Sequence, residues 1–327
     1  MKTIGLLFGG PSNEHEVSIK SARNIVANFP YQKYKLALIY WDKKGVFYIV
    51  KDVNKLGVNM KKISLEDFRK VFNIALLMTH GKYGEDGVLQ SLLESQNIKY
   101  CGCHALSSAL CMDKGLFKQY LSGQNVNQVK FIVLDYNLET DKEINAKISK
   151  VKANFKLPIY VKPANSGSSV GITKVESYSR ISQALEGALK HDNRIIIEAG
   201  LVNPREIEVA VLGNSSLDIS RPGELHLAKD FYNYDDKYKL GEAKVVIPAD
   251  ISKKQSREIT SLAKRAYKLC ACSGFARLDF FISKNKIYLN EINTLPGFTD
   301  ISMYPMLIAD QEISYQDLIK KIIDLSY

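Results

Sequence analysis

The chain opens on a continuous apolar run, T-I-G-L-L-F over residues 3–8, closed at once by Gly9 and Gly10. Behind it Ile19, Ala22, Val26 and Phe29 recur at spacings of three and four, the stripe of an amphipathic helix. Two further runs, residues 34–40 (Y-K-L-A-L-I-Y) and 73–79 (N-I-A-L-L-M-T), predict buried strands. Residues 86–95 read as a helix and 98–101 as a short strand. Strands that are apolar throughout, separated by helices, indicate a parallel sheet covered on both faces. Ligand groups in such a sheet gather where strands end, here after Phe8 and after Thr79.

From about residue 103 to 200 the pattern becomes that of a smaller α+β unit. A helix is expected over 112–121, a strand over 129–134, and a helix over 177–190 after a glycine-serine turn. The last third carries strand patterns at 206–212, 275–283 and 286–291, with a helix over 252–269. Units at 1–102, 103–198 and 199–327 follow from these shifts. The length of 327 residues accommodates them.

Composition narrows the class. A hydrophobic share of 46% with 24% charged residues excludes a disordered chain. Lys and Arg number 45 against 35 Asp and Glu, a net charge of +10. That excess lies in scattered pairs such as Lys43-Lys44 and Lys253-Lys254, with no basic block or zinc-finger spacing, so no nucleic-acid partner is expected. No apolar run approaches the roughly 18 residues of a membrane span, and the first apolar stretch is too short for a signal-peptide core. A cytoplasmic protein without a membrane partner is expected. Its five cysteines, including the near-pairs Cys101/Cys103 and Cys270/Cys272, read as reduced, mostly buried thiols.

Five segments carry chemistry. G-G-P-S-N-E-H-E-V-S (9–18) opens the first helix, with Ser12 or Asn13 as cap and Glu14 placed to hold an ammonium. T-H-G-K-Y-G-E-D-G (79–87) combines close backbone approach at its glycines with the polar groups of His80, Glu85 and Asp86. In L-P-I-Y-V-K-P-A-N-S-G-S-S-V-G-I (157–172) a strand delivers Lys162 to a Gly/Ser loop suited to phosphate oxygens. It is not a Walker A loop, because the G-x-x-x-x-G-K-[ST] order is absent. In F-A-R-L-D-F-F (275–281) and I-Y-L-N-E-I-N-T-L-P-G-F-T (287–299), Glu291 and Asn293 alternate with Ile292 and share a face. With Asp279 they form an oxygen set for a hard cation such as Mg²⁺.

These segments, together with S-S-A-L-C-M-D-K (107–114), R-E-I-E-V-A-V-L-G (205–213), F-Y-N-Y-D-D-K-Y (231–238) and N-E-I-N-T-L-P-G-F-T-D-I-S-M-Y-P (290–305), resemble the D-alanine–D-alanine ligases of the ATP-grasp superfamily along essentially the whole chain. The resemblance implies an α/β, three-domain ATP-grasp architecture. It would comprise an N-terminal Rossmann-like parallel-sheet domain for substrate, a small central α+β domain, and a C-terminal α+β domain with the Mg²⁺ and second-substrate sites. It implies ATP, two Mg²⁺ ions for which Mn²⁺ can stand in, D-alanine as substrate, a homodimer, and a role in peptidoglycan precursor synthesis. ATP phosphorylates one D-alanine carboxylate, and the amine of a second attacks the acyl phosphate.

The resemblance also assigns roles. Glu14 binds the first D-alanine's ammonium and forms a hydrogen-bonded set with Ser168 and Tyr238, with His80 also on the substrate side. Lys114, Lys162 and Lys237 meet nucleotide phosphates, with Ser168, Ser169 and Phe231 beside them. Glu198 and Leu201 contact adenine, and Glu206 the ribose. Asp279, Glu291 and Asn293 hold Mg²⁺, while Arg277 and the Gly297 N–H stabilise the tetrahedral intermediate. Ser302 and the Met303 backbone receive the second substrate's carboxylate, and a loop over 231–247 closes the site. Related ligases make D-alanyl-D-lactate or D-alanyl-D-serine. The lactate-forming ones carry His where this chain has Tyr238, so the neutral phenol favours the dipeptide. A catalytically silent ATP-binding protein is the alternative outside the enzyme class.

Overall fold

Ile4, Leu6, Leu7 and Phe8 are all fully buried, with no alternation, because β1 (Thr3–Gly9) is an interior strand. The computed structural model describes residues 1–226 and 244–326. β1 pairs in parallel with β2 (Lys35–Trp41) on one side and β5 (Ile74–Leu77) on the other, and β5 with β6 (Lys99–Cys101). β3 (Phe47–Val50) and β4 (Lys61–Ile63) extend the sheet antiparallel beyond β2, giving the order β4-β3-β2-β1-β5-β6. The expected parallel sheet is thus the four-strand stretch β2-β1-β5-β6. The lysine-bearing β4 escaped the pattern because an edge strand needs no apolar run. Helices α1 (His15–Ala27), α2 (Phe68–Val71) and α3 (Val88–Ser95) connect these strands.

The helix expected over 112–121 is two helices, α4 (Ala105–Met112) and α5 (Lys114–Gly123). Asp113 breaks them with an extended backbone (φ −78°, ψ 97°), and its side chain caps α5 by accepting from the Leu116 N–H at 2.9 Å. The break sets Lys114 at the start of α5. A second sheet follows, with β7 (Phe131–Asp135), β8 (Ile159–Pro163), β9 (Thr173–Val175) and β10 (Arg194–Ala199) in the antiparallel order β7-β10-β8-β9. It is backed by α6 (Asp141–Asn154), which carries a Thr140/Glu143 capping box, and α7 (Ile181–Leu189).

The third sheet is antiparallel. It runs β14 (Lys244–Val246), β13 (Gly223–His226), β11 (Arg205–Gly213), β15 (Phe275–Ser283), β16 (Lys286–Asn293), with β12 (Leu217–Ile219) paired to β11. Helix α8 (Lys253–Leu269) packs against it, and α9 (Met303–Ala309) and α10 (Tyr315–Asp324) end the chain. The second sheet has a core of its own. The first sheet shares one continuous core with α9 and α10 through Tyr304, Leu307, Ile319 and Ile322. Helices α4 and α5 bury Cys111, Phe117 and Leu121 in the core of the third sheet. All five cysteines are buried and unbridged. Among the described residues no helix is long and apolar enough to cross a membrane.

Candidate active site

Three loops from the first two sheets meet at Glu14. The first leaves β1 through Gly9 and Gly10, whose φ values of +91° and +100° only glycine adopts readily. Glu14 itself takes the helix-cap position without a capping side-chain bond, so neither Ser12 nor Asn13 is the cap. Ser12 instead donates to the His80 carbonyl at 2.7 Å, tying the first loop to the one that follows β5. In that second loop Gly81 (φ +74°) lies so near Glu14 that a Cβ there would stand 2.3 Å from Glu14 Oε2. A Cβ on Gly167, in the loop after β8, would stand 2.9 Å from the same oxygen. The neighbouring Ser168 hydroxyl donates a short hydrogen bond to Glu14 Oε1. Ser168 and Ser169 hold left-handed backbones (φ 48° and 59°), a conformation non-glycine residues seldom take.

His80 is 4% exposed. Its Nδ1 donates to the Leu295 carbonyl at 3.0 Å, which leaves Nε2 to accept from Ser21 Oγ at 2.9 Å. Burial pushes its pKa down and keeps the ring neutral. With both nitrogens engaged, His80 joins the first sheet to the third instead of offering a free nitrogen to a ligand. Glu85 has a parallel role, accepting from the Gly81 N–H at 3.2 Å and the Leu295 N–H at 3.3 Å. Burial, and then the charge of Glu14, raise its pKa to about 7 from 4.5. A carboxyl whose folded pKa is raised keeps a proton that the unfolded chain has released, so stability falls as pH rises from about 4.5 to about 7. Glu85→Gln is therefore expected to gain up to about 3 kcal/mol over wild type at about pH 8 and almost nothing at about pH 4.5. Urea unfolding at the two pH values measures it. Equal gains at both would remove the raised carboxyl from the account.

The lysines lie deeper. Lys114 donates to the Ser166 carbonyl at 2.7 Å and stands 3.7 Å from Glu291. Lys162, on β8, bonds Glu198 of β10 at 2.6 Å. Glu198 is 3% exposed. Burial alone would raise its pKa, yet Lys118 and Lys162 outweigh it and hold it at about 2. Its carboxylate is thus a counter-ion to lysines. Leu201 lies in the turn after β10, and Glu206 is half-buried on β11.

On the third sheet Glu208, Asp279 and Glu291 stand side by side across β11, β15 and β16. A register shift just after Asp279 brings Glu291, with Asn290 beside it, into the place opposite. Arg277 grips Asp279 with two bonds of 2.7 Å and reaches Glu208 at 2.8 Å. Asn293 donates to Asp279 at 2.9 Å. Burial opposes the Arg277 charge, but Asp279 and Glu208 outweigh it and push its pKa up. The set presents two carboxylates and an amide oxygen, while no group of three or more His, Cys, Asp or Glu among the described residues is arranged to hold a metal ion. Such a set suits Mg²⁺, which takes one or two carboxylates and fills its shell with water and substrate phosphate. Beyond β16, a Cβ on Gly297 would lie 2.8 Å from Ser302 Oγ, and Ser302 accepts from the Thr299 N–H at 3.0 Å. Met303 begins α9.

Glu14 with Ser168, Lys162 with Glu198, Arg277 with Asp279 and Asn293, and Gly297 with Ser302 are therefore brought together. Phe231, Lys237 and Tyr238 lie outside the described residues. Lys118 and Glu208 were not singled out from the residue pattern, and Glu85 was named only as a polar group of the 79–87 segment. The signals were there: Lys118 is one turn beyond Lys114 on α5, and R-E-I-E alternates Glu208 with Glu206.

A family model described as the D-ala D-ala ligase N-terminus matches residues 3–103, and one described as the D-ala D-ala ligase C-terminus matches residues 120–324. The chain belongs to the D-alanine–D-alanine ligase family. Among family members, the D-alanine–D-alanine ligase of Caldicellulosiruptor bescii is 39% identical, over 99% of this chain and 94% of its own. D-alanine–D-alanine ligase B of Clostridium tetani is 40% identical over 99% and 93%. Among solved structures, VanG D-Ala:D-Ser ligase from Enterococcus faecalis superposes with a TM-score of 0.89 at 32% identity, covering 99% of both chains. The D-alanine–D-alanine ligase of Coxiella burnetii gives 0.82 at 31%, covering 99% of this chain and 95% of its own. The α/β architecture is the ATP-grasp fold of this ligase family. The family is ATP-dependent and serves cell-wall precursor synthesis.

Proposed function

We propose that this chain joins two D-alanines to D-alanyl-D-alanine at the expense of ATP, through an acyl phosphate. The observation that carries the reading is Glu14. Its half-buried carboxylate is held by Ser168 between two glycines from separate loops, and Lys114, which bonds the same 164–172 loop at Ser166, stands 3.7 Å from Glu291 of the cation set. Glu14 anchors the first D-alanine by its ammonium. Lys114, Lys162 and Lys237 neutralise the nucleotide that the substrate carboxylate must approach, with the loop at Ser168 and Ser169 and with Phe231 contacting it. Leu201 and the Glu198 backbone border the adenine, with the Glu198 carboxylate turned to the two lysines, and Glu206 borders the ribose. Asp279, Glu291 and Asn293 would hold two Mg²⁺ ions, replaceable by Mn²⁺, which would supply charge neutralisation at the phosphates. Arg277 and the Gly297 N–H donate to the oxyanion of the tetrahedral intermediate. Ser302 and the Met303 backbone take the second substrate's carboxylate, and His80 braces the first-substrate loop.

In this reading residues 1–102 bind the first substrate, while 103–198 and 199–327 grasp the nucleotide between them. The family likeness also supports a homodimer and a cytoplasmic place of action. Phosphate release from ATP tests the function with D-alanine alone, D-alanine plus D-lactate, D-alanine plus D-serine, and L-alanine. Release with D-alanine alone, giving the dipeptide, is expected. The VanG likeness makes D-serine the second reading, and preferred incorporation of D-serine would establish it. Glu14→Gln is expected to raise the KM for D-alanine by about 10- to 100-fold, the loss of one charge-assisted bond, with ADP affinity unchanged. An equal loss of nucleotide affinity would make Glu14 a structural residue.

A further inference from the structure

Lys118 is 1% exposed, which is rare for a lysine, and it shares a face of α5 with Lys114 one turn earlier. Its Nζ lies 3.1 Å from Glu198 Oε1, while Lys162 Nζ lies 2.6 Å from Glu198 Oε2. One buried carboxylate therefore has a lysine at each oxygen. The two contacts are unequal. Lys162 makes a hydrogen bond, whereas neither Lys118 Nζ nor Glu198 Oε1 has a hydrogen-bond partner among the described residues, despite their closeness. Lys162 holds the carboxylate, and Lys118 waits beside it out of line.

The surroundings of the two lysines differ as well. The Lys162 side chain keeps 14% of its exposure and sits at the strand end that opens on the 164–172 loop, while Lys118 is sealed. Only Lys162 has room to turn towards an incoming phosphate. Were it to leave without replacement, Glu198 would become a bare buried anion, which is strongly unfavourable. Burial pushes the Lys118 ammonium down in pKa, against the pull of the Glu198 carboxylate.

We propose that Lys118 is a positioning residue for nucleotide binding: it takes over Glu198 when Lys162 transfers to a nucleotide phosphate. The inference rests on the ligase reading and adds to it a partner exchange, with one carboxylate turned from one lysine to the other. Without Lys118, Lys162 stays locked to Glu198 and the nucleotide loses its lysine. Removing the Glu198 charge as well releases Lys162 again.

The test measures the KM for ATP and for D-alanine, with calorimetric binding of ADP and Mg²⁺, on the full-length protein. Lys118→Met is expected to weaken ADP binding and raise the KM for ATP by about 10- to 100-fold, leaving the KM for D-alanine within about threefold. Lys118→Met/Glu198→Gln is expected to recover at least about tenfold of that loss while the KM for D-alanine again stays within about threefold, a split between the two substrates that a merely structural lysine would not produce. The double variant removes one buried charge of each sign. It thus tests the idea even if the single variant fails to fold, by ADP affinity within about tenfold of wild type. A single variant with wild-type affinity, or a double variant as weak as the single or more than about 100-fold below wild type, overturns the proposal. Failure of the wild type to bind ADP or to release phosphate with D-alanine would instead overturn the ligase reading.

Discussion

Asp279→Ala and Glu291→Ala are each expected to cut phosphate release with D-alanine by about 10³-fold or more, equivalent to about 4 kcal/mol of transition-state stabilisation. The two carboxylates stand opposite each other on β15 and β16 with apolar Leu278 and Ile292 on the reverse face, so neither is needed to hold the sheet. In Asp279→Ala the Arg277 guanidinium keeps Glu208 at 2.8 Å, and in Glu291→Ala the lost contact is Lys114 at 3.7 Å. Melting temperatures should therefore move by only a few degrees. The measurement is steady-state phosphate release at saturating Mg²⁺, paired with thermal unfolding. A folded variant keeping more than about a tenth of wild-type activity would take its carboxylate out of the cation set.

Arg277→Met should strike both stability and activity. Arg277 is the shared partner of Glu208, which is 8% exposed, and of Asp279. Its removal leaves two carboxylates side by side in the sheet, a loss of about 3–5 kcal/mol by analogy with broken buried ion pairs. Activity should fall by about 10²–10³-fold as the oxyanion donor disappears. Arg277→Lys should recover stability more than activity, because an ammonium supplies the charge without the planar fork that grips Asp279. Urea midpoints and kcat for the two variants separate the effects. A Met variant as stable as wild type would mean that Glu208 and Asp279 do not depend on Arg277.

Much of this was legible along the chain, and the reason is local. An interior parallel strand must be apolar at every position, so β1 and β5 announce themselves, and the polar groups after them mark where a ligand can sit. Alternation placed Glu291 and Asn293 on one face of β16, which the structure shows. What escaped depends on distant partners. Whether Glu198 meets solvent, adenine or lysine is decided by α5 and β8, tens of residues away. The engagement of both His80 nitrogens depends on Ser21 and Leu295, from α1 and from the segment after β16. The break at Asp113 was missed because both flanking helices bury residues in one core, so the apolar stripe runs on through it. Edge strands such as β4 carry no apolar signal to read.

The shared core of the first sheet and the last two helices has a consequence for how the chain is made. Translation releases residues 3–101 first, yet Leu307, Ile319 and Ile322, which complete their apolar cover, are made only about two hundred residues later. The bonds from Lys33 and Tyr34 to Asp324 close the same circuit between the two ends of the chain. The second sheet, with its private core, has all its parts by residue 199 and is free to consolidate while the ribosome is still at work. The nascent protein thus matures from its middle outwards. Its first hundred residues stay unsealed until α9 and α10 have been made, so a truncation before α10 would leave their apolar face exposed.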